Sequence, residues 1–276
     1  MFDPKTTKYP YTELTDGHYI KTVNKYNLRF DKDYPFVDKS KSHKFKSFWF
    51  KVFFNVIVIP VSNIRLGLRV KGRKNLRKHK DVIKKGIISC CNHVHYWDFL
   101  GIYYGVRHHQ PSFLVWNKNI NGSFGPCMRL LGGIPIPEND LGGQIRCTKD
   151  IKEFIGNGGW LHIYSEGSMW EFYRPIRPFK RGLATYAIMF DKPILPMAFR
   201  YRKPNWVRRV IFRQIATFTL HIGEPIYRNK ELDKHEQERD LLIRAHEAVC
   251  ELAGFEKGEN IYEPIFDNSK KIEYYK

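Results

Sequence analysis

A chain of 276 residues, 42% of them hydrophobic and 15% aromatic, is long enough for one large domain with a full core, or for a domain with an appendage. Its 47 Lys and Arg against 28 Asp and Glu leave a charge of +19, which asks for an anionic partner: nucleic acid, an acidic bilayer surface, or an acidic carrier and its phosphates. Five cysteines (Cys90, Cys91, Cys127, Cys147 and Cys250) are odd in number and fit no CxxC or zinc-ribbon spacing, which argues against a disulfide framework and leaves reduced thiols in a cytoplasm as the expectation.

The first residues, Met1 to Lys5, have no apolar core and no signal-peptide character. Residues 1–46 are polar and aromatic with little periodicity and read as an irregular arm. Tyr9, Tyr11, Tyr19 and Phe36 are placed to pin it onto the body or onto lipid headgroups. Residues 47–66 read as an apolar, membrane-associating segment. Its longest run, Phe48 to Ile59, is expected to be a helix that Pro60 ends. At about 18 Å it falls short of the ~30 Å hydrocarbon core, so spanning is not expected. Ser47, Lys51 and Asn55 recur every four residues as one narrow polar stripe. Two readings follow: a helix buried on the domain, or an in-plane anchor flanked by Lys41, Lys44 and Lys46.

From residue 67 strand and helix signals alternate, which predicts α/β architecture: a mixed, mostly parallel central sheet flanked by helices, with the apolar helical segment at its N-terminal side. Leu68–Gly72 reads as a strand. The basic run Arg73, Lys74, Arg77, Lys78, Lys80, Lys84 and Lys85 follows, either a solvated face or a headgroup patch. Further strands are expected at 86–89, Ser112–Trp116, Trp160–Tyr164, Ile194–Phe199, Val207–Phe212 and Ala216–Ile222, with a short extended piece at Ile134–Ile136. Helices are expected from Phe99, and at Phe124–Leu131, Gln144–Ile155, Leu183–Phe190 and Glu231–Leu252. The domain so defined covers 67–254, with an acidic and aromatic tail at 255–276 that looks poorly ordered after Gly258.

The chemistry starts at Asn92-His93-Val94-His95-Tyr96-Trp97-Asp98. In one helix His93 and Asp98 would stand roughly 140° apart. They meet only if the chain doubles back, with His93 on a strand-to-helix turn and Asp98 in the helix's first turn, where free amides suit a carboxylate. An imidazole held by a carboxylate is a general base with a fixed tautomer. Downstream, Tyr164-Ser165-Glu166-Gly167-Ser168-Met169-Trp170 leaves a strand, and Phe179-Lys180-Arg181-Gly182 opens a helix.

These pieces resemble, in order, the motifs of the glycerolipid acyltransferases, the PlsC-type 1-acylglycerol-3-phosphate acyltransferases. His93 to Asp98 is similar to their His-four-residues-Asp motif, and Gly132 to Ile136 to the second. Glu166-Gly167-Ser168 with Phe179 to Gly182 resembles the third, and Ile194 to Met197 the fourth. Ile222 to Ile226 is similar to the closing strand, so the likeness covers roughly 67 to 228. It implies direct transfer of a fatty acyl group from acyl-CoA or acyl carrier protein, with no bound cofactor and no metal, onto a hydroxyl of a lysophospholipid-like acceptor. His93 would be the base and Asp98 its orienting acid, with an oxyanion held by amides near Gly167. Glu166, Gly167 and Ser168 would line the acceptor site. Pro137-Glu138 and Met169 stand where the family carries arginines associated with the acceptor's phosphate. Arg174, Arg177, Lys180 and Arg181 could replace them. Alternatively Trp170, Phe172 and Tyr173 could line a site for a glycolipid or another alcohol. The resemblance implies the cytoplasmic face of a membrane, peripheral or monotopic, with an anionic membrane surface, a lipid acceptor and an acyl carrier protein as partners, and no nucleic acid.

The same residues admit other readings. His93 could be a hydrogen-bonded strand-end histidine, and His95 is read as structural. His93-x-His95-x-x-Asp98 approaches a metallohydrolase signature, but the Asp is one place late and Phe99 stands where a His is needed; His108 and His109 lack ligand spacing. Gly167-Ser168-Met169 is no nucleophile elbow. A basic module binding nucleic acid or an anionic membrane has the charge, but no helix-turn-helix, RNA-recognition or zinc motif.

Overall fold

Seven strands make one sheet: β1 (Arg69–Lys71), β2 (Ile87–Cys91), β3 (Ser112–Trp116), β4 (Gly133–Ile136), β5 (Trp160–Tyr164), β6 (Ile194–Arg202) and β7 (Thr217–Ile222), in the order β1-β7-β6-β2-β5-β3-β4. The computed structural model describes residues 22–107, 109–260 and 262; Tyr9, Tyr11, Tyr19, His108 and the tail from 263 lie outside them. Only β6 and β7 pair antiparallel. The other pairs are parallel, so the sheet is mixed and mostly parallel, as the alternation predicts. Every residue of β2 is buried, as parallel strands covered on both faces require. Ile88 and Cys90 point into the core beneath the helices Leu141–Gly156, Gly182–Met189 and Lys234–Ala253. Ile87 and Cys91 point into the opposite core, with Leu100 and Tyr103 of the helix Asp98–Val106.

The pairing decides which residues share an end of the sheet. β2, β5 and β6 run in the same direction, so the residues that follow them, His93, Glu166 and Lys203, emerge at one end. β7 runs the other way and β1 runs with β7, so the entries to both strands also lie there. The basic run from Arg73 to Lys85 links the exit of β1 to the entry of β2 and therefore sits at the opposite end. There Lys78 pairs with Glu224 at 2.8 Å, and Arg73 donates to the carbonyls of Tyr104 and Gly105.

Four expectations change. Pro60 does not end the apolar helix, which runs unbroken from Lys41 to Leu66. One π-helical stretch, Phe54–Val58, precedes the proline. A widened turn absorbs a residue that lacks an N–H and whose ring crowds the carbonyl four places back. Nor is the helix buried. Its docked face carries Ser47, Phe50, Phe54, Ile59 and Leu66, while Phe48, Trp49, Phe53, Val56, Ile57, Val61 and Ile64 are exposed. Of the polar stripe Ser47 points inward, its Oγ donating to the Leu130 carbonyl at 2.6 Å, whereas Asn55 Nδ2 donates to the helix's own Lys51 carbonyl at 2.8 Å.

Val207–Phe212 is not a strand. Asn205 accepts from the Arg208 N–H at 3.0 Å and caps a short helix, Trp206–Val210. The start of the tail is held as well. Asn260 exchanges hydrogen bonds with the N–H and carbonyl of Ile176, and Tyr262 is buried. The arm before Lys41 has no helix or strand over its described residues, yet Phe36 is fully buried and Arg129 grips the carbonyls of Pro35 and Phe36 at 2.7 Å.

Candidate active site

β2 ends where its side-chain amide takes over from its backbone. Asn92 Oδ1 accepts from the Phe199 N–H at 2.8 Å and its Nδ2 donates to the Phe199 carbonyl at 3.1 Å. The Asn92 side chain thus extends the pairing with β6 and frees the main chain to turn away. Six residues after Asn92 the helix Asp98–Val106 begins, and the turn between them closes on Asp98. Oδ2 of Asp98 accepts from His93 Nδ1 at 2.8 Å, from the Val94 N–H at 2.9 Å and from the His95 N–H at 3.3 Å. Oδ1 accepts from the hydroxyl of Tyr164 at 2.8 Å. The side chain of Asp98 is fully buried.

Burial alone would push the Asp98 carboxyl up. The positive charge and hydrogen bond of His93, with the bonds from Tyr164 and Val94, outweigh it and hold the group below the usual carboxylate range. An ionised carboxylate can only accept, so His93 Nδ1 carries the hydrogen, and in the neutral ring Nε2 is the nitrogen with the lone pair. The His93 side chain is 24% exposed, which leaves that lone pair within reach of a substrate. Its ring lies flat against Tyr164, with centroids 3.9 Å apart and planes within 14°. Tyr164 is the last residue of β5, the neighbour of β2, and burial followed by the Asp98 charge keeps its hydroxyl neutral well above its ordinary range.

Behind this pair His162 is wholly buried. Ser89 Oγ accepts from Trp160 Nε1 at 2.7 Å, so its own hydrogen is available to His162 Nδ1 at 2.8 Å. Burial drives the His162 pKa down to about 3. His95 is committed elsewhere: its Nδ1 accepts from the Trp97 N–H at 3.0 Å and its Nε2 lies 3.5 Å from Glu171. The two imidazoles of the His-x-His pair therefore have separate partners. Among the described residues no group of three or more His, Cys, Asp or Glu is placed to hold a metal ion.

The loop after β5 is fastened over the turn. The Phe172 N–H donates to the Val94 carbonyl at 2.8 Å, with Phe172 in the left-handed region at φ 58°. The Tyr201 hydroxyl donates to the Tyr173 carbonyl at 3.0 Å. Inside the loop Glu166 Oε2 accepts from Arg177 Nε at 3.1 Å and Nη2 at 2.9 Å, and Arg177 Nη1 donates to Ser168 Oγ at 2.9 Å. All three residues are buried. Burial raises the Glu166 carboxyl more than the Arg177 charge lowers it, and its Oε1 has no hydrogen-bond partner. The Gly167 N–H closes a turn on the Tyr164 carbonyl at 3.0 Å, at φ 82°, so an oxyanion donor must come from another amide.

The structure thus brings His93 and Asp98 together, and Glu166, Ser168 and Arg177 into a second, adjoining cluster. Arg174 instead pairs with Glu259 at 3.1 Å over the Phe255 ring, and Arg181 pairs with Glu238 at 2.7 Å. The stem of Lys180 lies over Gly167. Met169 is buried, and Glu138 accepts from Trp116 Nε1 and Asn117 Nδ2. Tyr164 and Asn92 were missed as site residues from sequence. Asn92 had a local signal, a polar amide closing an apolar strand. Tyr164 had none, because its contact with Asp98 spans 66 residues.

Residues 67–200 match the protein family described as Acyltransferase. The fold is similar to that of the crystal structure of the 1-acyl-sn-glycerophosphate (LPA) acyltransferase, PlsC, from Thermotoga maritima, with a TM-score of 0.51 and 18% identity, covering 80% of this chain and 85% of that one. Among curated proteins, no sequence matches.

Proposed function

Residues 67–200 belong to the acyltransferase family, and from the site they build we propose that the chain moves a fatty acyl group from an acyl thioester, acyl-CoA or acyl carrier protein, to a hydroxyl of a lysophospholipid-like acceptor. The observation that carries this reading is the 2.8 Å contact between His93 Nδ1 and a buried, ionised Asp98, with the His93 side chain 24% exposed. Nε2 takes the proton of the acceptor hydroxyl as its oxygen attacks the thioester carbonyl. The tetrahedral adduct then expels the thiolate, which recovers that proton from the imidazolium. Asp98 stabilises the cation in between. A positioned base of this kind contributes about 10²- to 10⁴-fold. Glu166 and Arg177 hold the loop that roofs the site.

The apolar helix supports a reaction at a membrane. Between Phe48 and Ile64 its exposed face is aromatic and aliphatic while Ser47 turns to the domain, the reverse of what water selects. The helix is long enough to cross a bilayer. It touches the domain at both ends, however: Ser47 on Leu130, and Ile64 and Gly67 on Arg208 and Arg202. A helix held along its whole length on a soluble body supports the in-plane, monotopic reading at the cytoplasmic leaflet, with anionic headgroups around Lys41, Lys44 and Lys46.

A second reading concerns the acceptor. The family's phosphate-associated arginines are replaced by the buried Met169 and the hydrogen-bonded Glu138, and Arg174, Arg177 and Arg181 are each engaged with a glutamate. That favours a glycolipid or other non-phosphate alcohol lying against the aromatic loop. Incubation with labelled acyl-CoA or acyl carrier protein and a panel of lysophosphatidic acid, other lysophospholipids and glycolipids, read by product mass, tests both. Acylation of lysophosphatidic acid upholds the first reading, and acylation of the glycolipid alone upholds the second. No acylation of any acceptor defeats the activity.

A further inference from the structure

The excursion between β6 and β7, from Lys203 to Ala216, carries, among the described residues, the densest run in sequence of exposed large hydrophobic residues outside the N-terminal helix. Trp206, Val210, Ile211 and Ile215 are 67%, 59%, 62% and 49% exposed within ten residues of chain. Scattered exposed aliphatics are ordinary, whereas a contiguous patch marks an interaction site. Its charge is as one-sided as its apolarity. Between Lys192 and Gly223 the sequence has no Asp or Glu, while Arg200, Arg202, Lys203, Arg208, Arg209 and Arg213 all fall there. Lys203, Arg209 and Arg213 are exposed, and among the described residues no carboxylate pairs with them.

Position tells what covers this patch. The excursion leaves the same end of the sheet as His93. It also abuts the end of the apolar helix: Arg208 Nε donates to the Ile64 carbonyl at 3.1 Å, and Arg202 Nη2 donates to the carbonyls of Gly67 and Phe218. Gly67 ends that helix in the left-handed conformation, and a side chain there would strike the Arg208 guanidinium. Exposed Ile64 on the helix and exposed Val210 and Ile211 on the excursion therefore belong to joined elements. Charge and continuity both fit one occupant, an anionic phospholipid leaflet.

We propose that Lys203–Ile215 is a second interfacial membrane contact, setting Trp206, Val210, Ile211 and Ile215 at the acyl boundary and Lys203, Arg209 and Arg213 among lipid phosphates. It rests on the membrane reading of the apolar helix and adds to it an orientation. Two contacts joined at the His93 end of the sheet turn that end toward the leaflet, so an acceptor lipid reaches the base without leaving the interface. The basic run at 73–85, at the opposite end, points away.

The test uses the full chain carrying Cys127→Ser and Cys250→Ser, with an environment-sensitive fluorophore on Ile211→Cys or, separately, on Val56→Cys in the helix. Each is mixed with vesicles of phosphatidylcholine and phosphatidylglycerol, with brominated acyl chains as quencher. Quenching at both positions is the expected result. Quenching at 56 without quenching at 211 overturns this proposal and leaves the helix reading standing; quenching at neither overturns both. A label at 211 that is shielded in solution without lipid, together with a doubled mass by light scattering, makes the patch an interface between copies and likewise overturns it. Independently, Trp206→Ser/Ile211→Ser should lower partition onto these vesicles by about tenfold or more. Arg209→Ser/Arg213→Ser should do so on anionic vesicles and not on phosphatidylcholine alone. Unchanged partition in both double variants overturns the contact.

Discussion

The turn from His93 to Asp98 and the helix from Lys41 to Leu66 solve opposite problems. In the turn a buried carboxylate receives four donors, all from within the protein, and nothing about it asks for a partner other than the reacting hydroxyl. In the helix Ser47 is bonded to the domain and the aromatic face is left bare. One region is closed on itself; the other leaves an apolar face uncovered, which the proposed function assigns to lipid. On that proposal chemistry and location are held by separate elements, so each should be removable without the other.

The largest effect should come from the base. His93→Ala is expected to lower kcat/KM by about 10²- to 10⁴-fold while thermal unfolding and vesicle cosedimentation stay as in the parent. Turnover that survives removes His93 as the base. If vesicle binding falls with it, the two regions are not independent.

Acid should separate the regions next. Burial holds His162 near about 3 and His246 near about 4, against 6.5 for a free imidazole. Below pH 6.5 the unfolded chain takes up two protons that the fold refuses. Stability is therefore level above that pH and falls as pH drops through it, by about 4 kcal/mol for the pair at about pH 5. Urea unfolding measured from pH 7.5 down to 5 checks this, and a flat profile would mean that these imidazoles are protonated in the fold. From Lys44 to Leu66 the helix has no Asp, Glu or His, so vesicle-bound helicity should hold over the same range.

What could be read from sequence follows the same division. His93 and Asp98 were legible because five-residue spacing admits only one way to meet, and the short, largely apolar runs at 86–89 and 160–164 read as strands, which the structure places at Ile87–Cys91 and Trp160–Tyr164. The helix was read too short, since a proline was taken as a stop where one π turn accommodates it. Residues 207–212 were read as a strand because their apolar residues outweighed the Pro204-Asn205 capping signal that governs the structure. Loop contacts such as Glu166 with Arg177 were out of reach. The two residues were both singled out, yet nothing in their spacing tells that they spend their charges on each other.

The membrane side of the comparison breaks with Phe48→Ser/Trp49→Ser/Phe53→Ser/Val56→Ser. These side chains keep about half or more of their surface exposed in the fold, so their loss should move the unfolding midpoint in water little. Partition onto anionic vesicles should drop about 10²-fold or more. A midpoint that collapses would show that the stripe packs on protein after all.

The smallest effect belongs to Tyr164, and it sharpens the comparison most. Tyr164→Phe keeps the ring on which His93 lies and removes only the hydroxyl bonded to Asp98 Oδ1. A hydrogen bond to a charged group is worth about 1.5–3 kcal/mol, and three donors remain on the same carboxylate, so kcat should fall by about tenfold with KM unchanged. Losing a donor to the ionised form raises the Asp98 pKa, which means the carboxylate is protonated at a higher pH than in the parent. The acid limb of the kcat profile should then move up in pH. A tyrosine that merely packs would shift the unfolding midpoint and leave that limb where it was. An unmoved limb with unchanged kcat would reduce the assembly at this turn to the imidazole and its acid alone.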